Sequence, residues 1–393
     1  MRTSSAVLFM TCLAAALAAL LCPANLLASK NPTYIVTNDD VAKAKGNTVT
    51  FYLPGLHGSA PTLTQKVVVA TKGTGVGGGG FATTQINVLH DPSQNCVYVA
   101  DGGSNDIAGI KISTRELAGN FKGSKNDLGA PYGVALAMND NYLYAGFTGS
   151  GTIATFQVLP GCTLGFVGDT YLIGMNGGSL NGMALNGNIL VVTYGDGSIE
   201  SFNIASGMPA PNGDLQDSTG YGDDNLPVAV DISKYGHFAI FGDASTSAVV
   251  EVSDISSGRL TPTVAYNLGA GDSSDVRLSP DQHLLYIANN ISFKVTAAFF
   301  DDATGVVSAG CTSSVLHGAK NSWYVAGLST LYTLGTGSVL YVAEGGGQSS
   351  YIGILQVESS GGQCTLTESS QSPVIDKHSS GLMSIGTFLP RPF

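Results

Sequence analysis

Short apolar runs, each closed by a polar turn, recur along the whole chain. They are TYIVTNDD around Tyr34, CVYVADGG around Tyr98, YLYAGFTG around Tyr144, ILVVTYGD around Val191, FAIFGDAS around Ala239, LLYIANNI around Tyr286 and VLYVAEGG around Tyr341. Five or six apolar or β-branched residues bounded by Gly, Asn or Asp predict a buried strand ending in a tight turn.

From Tyr98 to Tyr286 the copies are spaced by 46, 47, 48 and 47 residues, and the outer spacings are 64 and 55. A steady period of this size matches one four-stranded propeller blade, the longer spacings implying loop insertions. Within a unit, a strand with a polar turn (VAVDISKYG, DVRLSPDQ) precedes the Tyr strand. A third (TIATFQV, SIESFNI) and a fourth (RLTPTVAYN) follow, giving strands A to D. The first unit starts on a B strand at Thr33, and residues 381–388 form a spare strand of A-type composition. The expectation is an all-β, seven-bladed β-propeller at 33–390, a single domain whose ring closes when the C-terminal strand joins the N-terminal blade.

Composition agrees. Gly at 52 residues with a single Trp favours strands and turns over helices. Charged residues at 11% against 44% hydrophobic exclude a disordered chain, and a net charge of −11 argues against a nucleic-acid partner. Arg2, an apolar run from Ala6 to Leu21 and small residues at Ala24 and Ala28 predict a signal peptide at 1–28. The apolar core is shorter than the roughly 20 residues that span a bilayer. No membrane span is expected after cleavage, and the mature protein is read as a secreted or periplasmic monomer. Four cysteines then remain and allow three pairings. Neighbouring order favours Cys96 with Cys162 and Cys311 with Cys364, with buried free thiols as the alternative.

The TYIVTNDD, VYVADGGSN, LYIANN and LYVAEGG segments resemble YVTN-type propeller repeats. LSPDQHLLYIANN with its following DATG is similar to the seven-bladed lactonase family, which includes the 6-phosphogluconolactonases. The resemblance covers nearly all of the mature chain. It implies the propeller fold and, as one possible activity, lactone hydrolysis.

Propeller topology puts B–C turns and D–A loops on one face. The B–C turns carry Asp39, Asp101, Asp196, Asp243, Asn290 and Glu344, and the D–A side adds Asp272 and Asp275. A strongly acidic face is expected, able to recognise an unknown small molecule, carbohydrate or protein. Converging carboxylates also suit Ca²⁺, the one cofactor considered, with no metal ligands assigned. Asp and Asn also favour such turns simply by bonding their own backbone. For hydrolysis the candidates are Arg277 on an inner strand, to clamp an oxyanion, and His317 and His378 in D–A loops, as acid or base. A phosphorylated substrate would call for a basic cluster, which this face lacks. No H-E-x-x-H, G-x-S-x-G or Walker pattern occurs. The glycine run 73–80 leads into a strand and reads as a linker. The leading expectation is a non-enzymatic extracytoplasmic binding scaffold, with a sugar-acid lactonase as the alternative.

Overall fold

The computed structural model describes residues 33–388 except 78–86, 130–132, 219–225, 245–248, 270–272, 291, 322–323, 334–336, 346–349 and 380–383. The signal segment read at 1–28 lies outside the described residues. The strands belong to one compact unit, Thr33–Leu389.

Seven antiparallel sheets form among the described residues, six of them running in sequence order from an inner strand outward. The inner A strands are Val88–Asp91, Val134–Met138, Leu180–Asn186, Pro227–Ile232, Ser273–Leu278 and Tyr324–Thr333 in blades 2 to 7. In blade 1 the inner strand is Ser384–Phe388, which pairs antiparallel with Tyr34–Asn38, Asn38 opposite Ser384. The two ends of the domain therefore share one sheet. In blade 7 the outer position is taken twice, by Gln363–Glu368 and by Val374–Asp376, both pairing with Ser350–Ser360.

The B strands of the sequence repeat are almost wholly buried, and Tyr98, Tyr144, Tyr286 and Tyr341 are among the largest fully buried side chains. The core lies between blades. Tyr286 and Leu284 of blade 6 pack with Leu340 and Leu355 of blade 7, and Tyr341 and Ile352 of blade 7 pack with Ile35 and Tyr52 of blade 1. No blade can cover its own faces, so association of neighbours is what removes this apolar surface from water.

Both disulfides also join neighbours. Cys96 opens the B strand of blade 2 and bonds Cys162 in the C–D turn of blade 3, while Cys311 and Cys364 connect the outer strands of blades 6 and 7. The described residues include no α-helix, and none of their helices is long and apolar enough to cross a membrane.

Register defines the two faces. Pro227 opposes Asp243 and Ser273 opposes Asn289, so each A strand begins where its B strand ends. D–A loops and B–C turns thus share the upper face, and A–B and C–D turns the lower.

Candidate functional site

The upper face is less acidic than its sequence implies, because the carboxylates turn inward. Asp39, Asp101, Asp243 and Glu344 are all buried. Asp101 accepts hydrogen bonds from Asn47 Nδ2 at 2.6 Å and Thr71 Oγ1 at 2.9 Å, tying the outer part of blade 1 to blade 2. Asp196 accepts from the backbone N–H of Asn176 and Gly178 and from Ser198, and Asp243 accepts from Leu226 N–H at 3.0 Å. Asp39 takes three threonine hydroxyls, Thr37, Thr48 and Thr50. A long D–A loop presents backbone donors with no strand partner, and a carboxylate at the adjacent turn satisfies them. The expected acidic rim is corrected on that ground.

Burial shifts these groups. It pushes the Asp101 carboxyl up to about 8 against the opposing pull of Asn47 and Thr71, with Asp106 adding to the rise. Asp39 lies well above the usual carboxylate range, through burial and then the nearby Asp376. Asn290 is half-buried, and Asp272 lies outside the described residues. Among the described residues no three His, Cys, Asp or Glu side chains converge as a metal-holding group.

Blade 7 differs. Glu344, in the B strand Gly337–Gly345, is fully buried with no hydrogen-bond partner for either carboxylate oxygen. Two glycines close over it: a Cβ on Gly318 would stand 2.6 Å from Oε2, and one on Gly353 2.8 Å from Oε1. Burial and then the charge of Glu368 push its carboxyl up to about 8, which favours the protonated form near neutral pH. Glu368 accepts the Ser372 hydroxyl at 2.6 Å and the His317 backbone N–H at 3.0 Å. Its Oε1 also lies 3.4 Å from His317 Nδ1. His317 opens the 3₁₀ turn His317–Asn321 in the D–A loop, and its side chain is 61% exposed. From interior to surface the order is a buried acid, a carboxylate and an accessible imidazole. A carboxylate on Nδ1 fixes the tautomer that leaves Nε2 as the basic nitrogen.

A model of the seven-bladed β-propeller lactonases matches residues 97–373. The chain belongs to that lactonase family. Solved structures with the same fold include a provisionally assigned 6-phosphogluconolactonase from Bacteroides uniformis. It is 14% identical with a TM-score of 0.67, over 91% of this chain and 100% of that one. A second protein so assigned, from Bacteroides fragilis, is 15% identical with a TM-score of 0.65, over 92% and 99%. A Desulfotomaculum acetoxidans protein of unknown function is 11% identical with a TM-score of 0.61, over 92% and 100%. At these identities the likeness concerns the fold. No curated protein matches the chain.

In this lactonase-family propeller the other two candidate residues stand apart from His317. Arg277 lies near the lower end of its inner strand, where Nη2 is 3.3 Å from Asp275 Oδ1 and Nη1 donates to the Val276 carbonyl at 2.9 Å. Asp231 of blade 5 accepts the Leu278 N–H at 2.8 Å and feels the same guanidinium, which opposes the upward push of its burial. The Arg277 charge is therefore matched by carboxylates of two blades. His378 is exposed in the loop after Asp376, to which its backbone N–H donates at 2.9 Å. Among the described residues no contact links Arg277, His317 and His378. Glu368 is the residue that sequence reasoning missed. It sits in an outer strand, which face-sorting by D–A and B–C segments passes over, and its only local sign is the turn-rich SSQSP that follows.

Proposed function

We propose that the protein hydrolyses the lactone of an unphosphorylated sugar acid at the upper face of blade 7, outside the cytoplasm. Membership of the lactonase family supports the reaction class. The observation that carries the site is Glu368 accepting the His317 backbone N–H with its Oε1 3.4 Å from Nδ1, beside the buried Glu344. The Glu368 carboxylate orients the imidazole, and the raised Glu344 carboxyl behind it adds little opposing charge. In this reading His317 Nε2 removes a proton from water as its oxygen attacks the lactone carbonyl. The tetrahedral adduct then collapses, the ring C–O bond breaks, and the imidazolium returns the proton to the departing alkoxide, giving the open sugar acid. The preference against phosphate rests on the Glu368 carboxylate beside His317, which would repel a phosphate brought to this site. Two disulfides and the apolar N-terminal segment support export. The hydrolase reading displaces the binding-scaffold expectation, which the family match does not favour.

The test is turnover of phosphorylated and unphosphorylated aldonolactones by the purified mature protein and its His317→Ala variant. Hydrolysis of an unphosphorylated lactone, lowered by about 10²–10³-fold in the variant, is expected. No rate above spontaneous hydrolysis on any lactone overturns the proposal.

A further inference from the structure

The lower face holds a cavity of about 920 Å³ between blades 5 and 6. It is built from the A–B turn of blade 5 at 233–237, the A–B turn of blade 6 at 279–283 and the C–D turn of blade 6 at 301–305. The frame is braced. The Lys234 backbone N–H donates to Gln282 Oε1 at 2.7 Å across the two blades. Asp281 accepts the Ser279 hydroxyl at 2.6 Å, and Asp301 accepts the Ala303 N–H and the Thr304 hydroxyl. Beneath lies aromatic packing, with Phe300 edge-on to Phe238 at 6.1 Å.

With those carboxylates engaged in their own turns, other groups are left facing the space. Tyr235 is 67% exposed, its ring 6.3 Å from the His237 ring, with the Lys234 ammonium 5.8 Å from its centroid. His283 lines the opposite wall, and Asp302 Oδ1 is buried there without a hydrogen-bond partner. An exposed flat ring offers a face to C–H groups. Asp302 is half-buried in the wall, and its undonated oxygen gains a hydrogen bond from a ligand that brings hydroxyls once the side chain turns toward the groove. Asp281, Asp301 and Asp302 against the single ammonium of Lys234 disfavour an anion.

We propose that this groove is a binding site for a neutral pyranose, stacked on Tyr235 and donating a hydroxyl to Asp302. The site is on the face opposite His317 and does not rest on the lactonase reading.

The experiment is ligand-observed saturation-transfer NMR and calorimetry with glucose, galactose, N-acetylglucosamine, maltohexaose and cellohexaose. At least one is expected to bind, with saturation strongest on its ring C–H protons. Tyr235→Ala should weaken that binding by about tenfold or more, Tyr235→Phe should retain it, and Asp302→Asn should weaken it about fivefold. His317→Ala should leave it unchanged, and glucose 6-phosphate should bind less well than glucose. The proposal fails if no sugar binds, if Tyr235→Ala binds as the parent does, if only His317→Ala abolishes binding, or if phosphorylation improves it. Since Tyr235 lies at a turn surface, its variants are expected to keep the parent melting temperature.

Discussion

Asp101 in blade 2 and Glu344 in blade 7 each lie three residues past the repeat tyrosine, Tyr98 and Tyr341. Each is buried under a glycine of the preceding D–A loop, Gly73 or Gly318, and each carboxyl is raised to about 8. They part in their partners. Asp101 is held by Asn47 and Thr71, whereas Glu344 has nothing on either oxygen. One repeat position thus serves two ends. Where donors reach the carboxyl it clamps a loop, and where none does, burial alone raises it and leaves a carboxyl enclosed by Gly318 and Gly353.

Removing the clamp should have the largest effect. Asp101→Ala removes the acceptor shared by Asn47 and Thr71, leaves them only Asn38 Oδ1 and the Asn47 carbonyl, opens a cavity under Gly73, and is expected to lower stability by about 2–4 kcal/mol in urea unfolding. A loss below about 0.5 kcal/mol would deny that the position is a clamp. Next, Glu368→Gln should lower kcat for lactone hydrolysis by about 100-fold with KM little changed, because it removes the charge that orients His317 without touching substrate. A KM effect alone would mean that Glu368 binds substrate instead.

The pH dependence of stability sharpens the likeness between the two acids. Both folded pKa values lie above their unfolded values, so between about 4 and 8 the folded state holds more protons than the unfolded one. Stability should be highest at the acid end of that window, fall as pH rises through it and level off above about 8. Melting temperatures across pH 4.5 to 9 check this, and a rise with pH would contradict it. The smallest effect is expected from Glu344→Met. It should change stability by no more than about 1 kcal/mol near pH 6, since no hydrogen bond is lost, while flattening the pH profile. A loss as large as that of Asp101→Ala would erase the contrast.

The fold was legible because a period of 46 to 48 residues and a change from apolar run to Gly or Asp turn depend on local chemistry alone. The disulfides followed, since neighbouring blades bring neighbouring cysteines together. What escaped was which way side chains turn. Asp39 and Asp101 read as surface acids because turns are usually wet, yet the D–A loops cover them and supply the donors. Arg277 read as an open clamp, but its partner Asp231 comes from another blade, 46 residues upstream in sequence. His237 and His283 end A–B turns, which propeller topology puts on the lower face. That two blades' turns form a cavity around them depends on packing between repeats, which no single repeat encodes.

The pairing of Ser384–Phe388 with Tyr34–Asn38 has a bearing on how the protein is made. During synthesis the first blade emerges without its inner strand and must wait, open-edged, until nearly the whole chain has followed. A ribosome that stops early yields six blades with no fastening, and such a fragment keeps an unpaired strand for proteases to find. Closing the ring thus waits on a strand that leaves the ribosome about 350 residues after its partner.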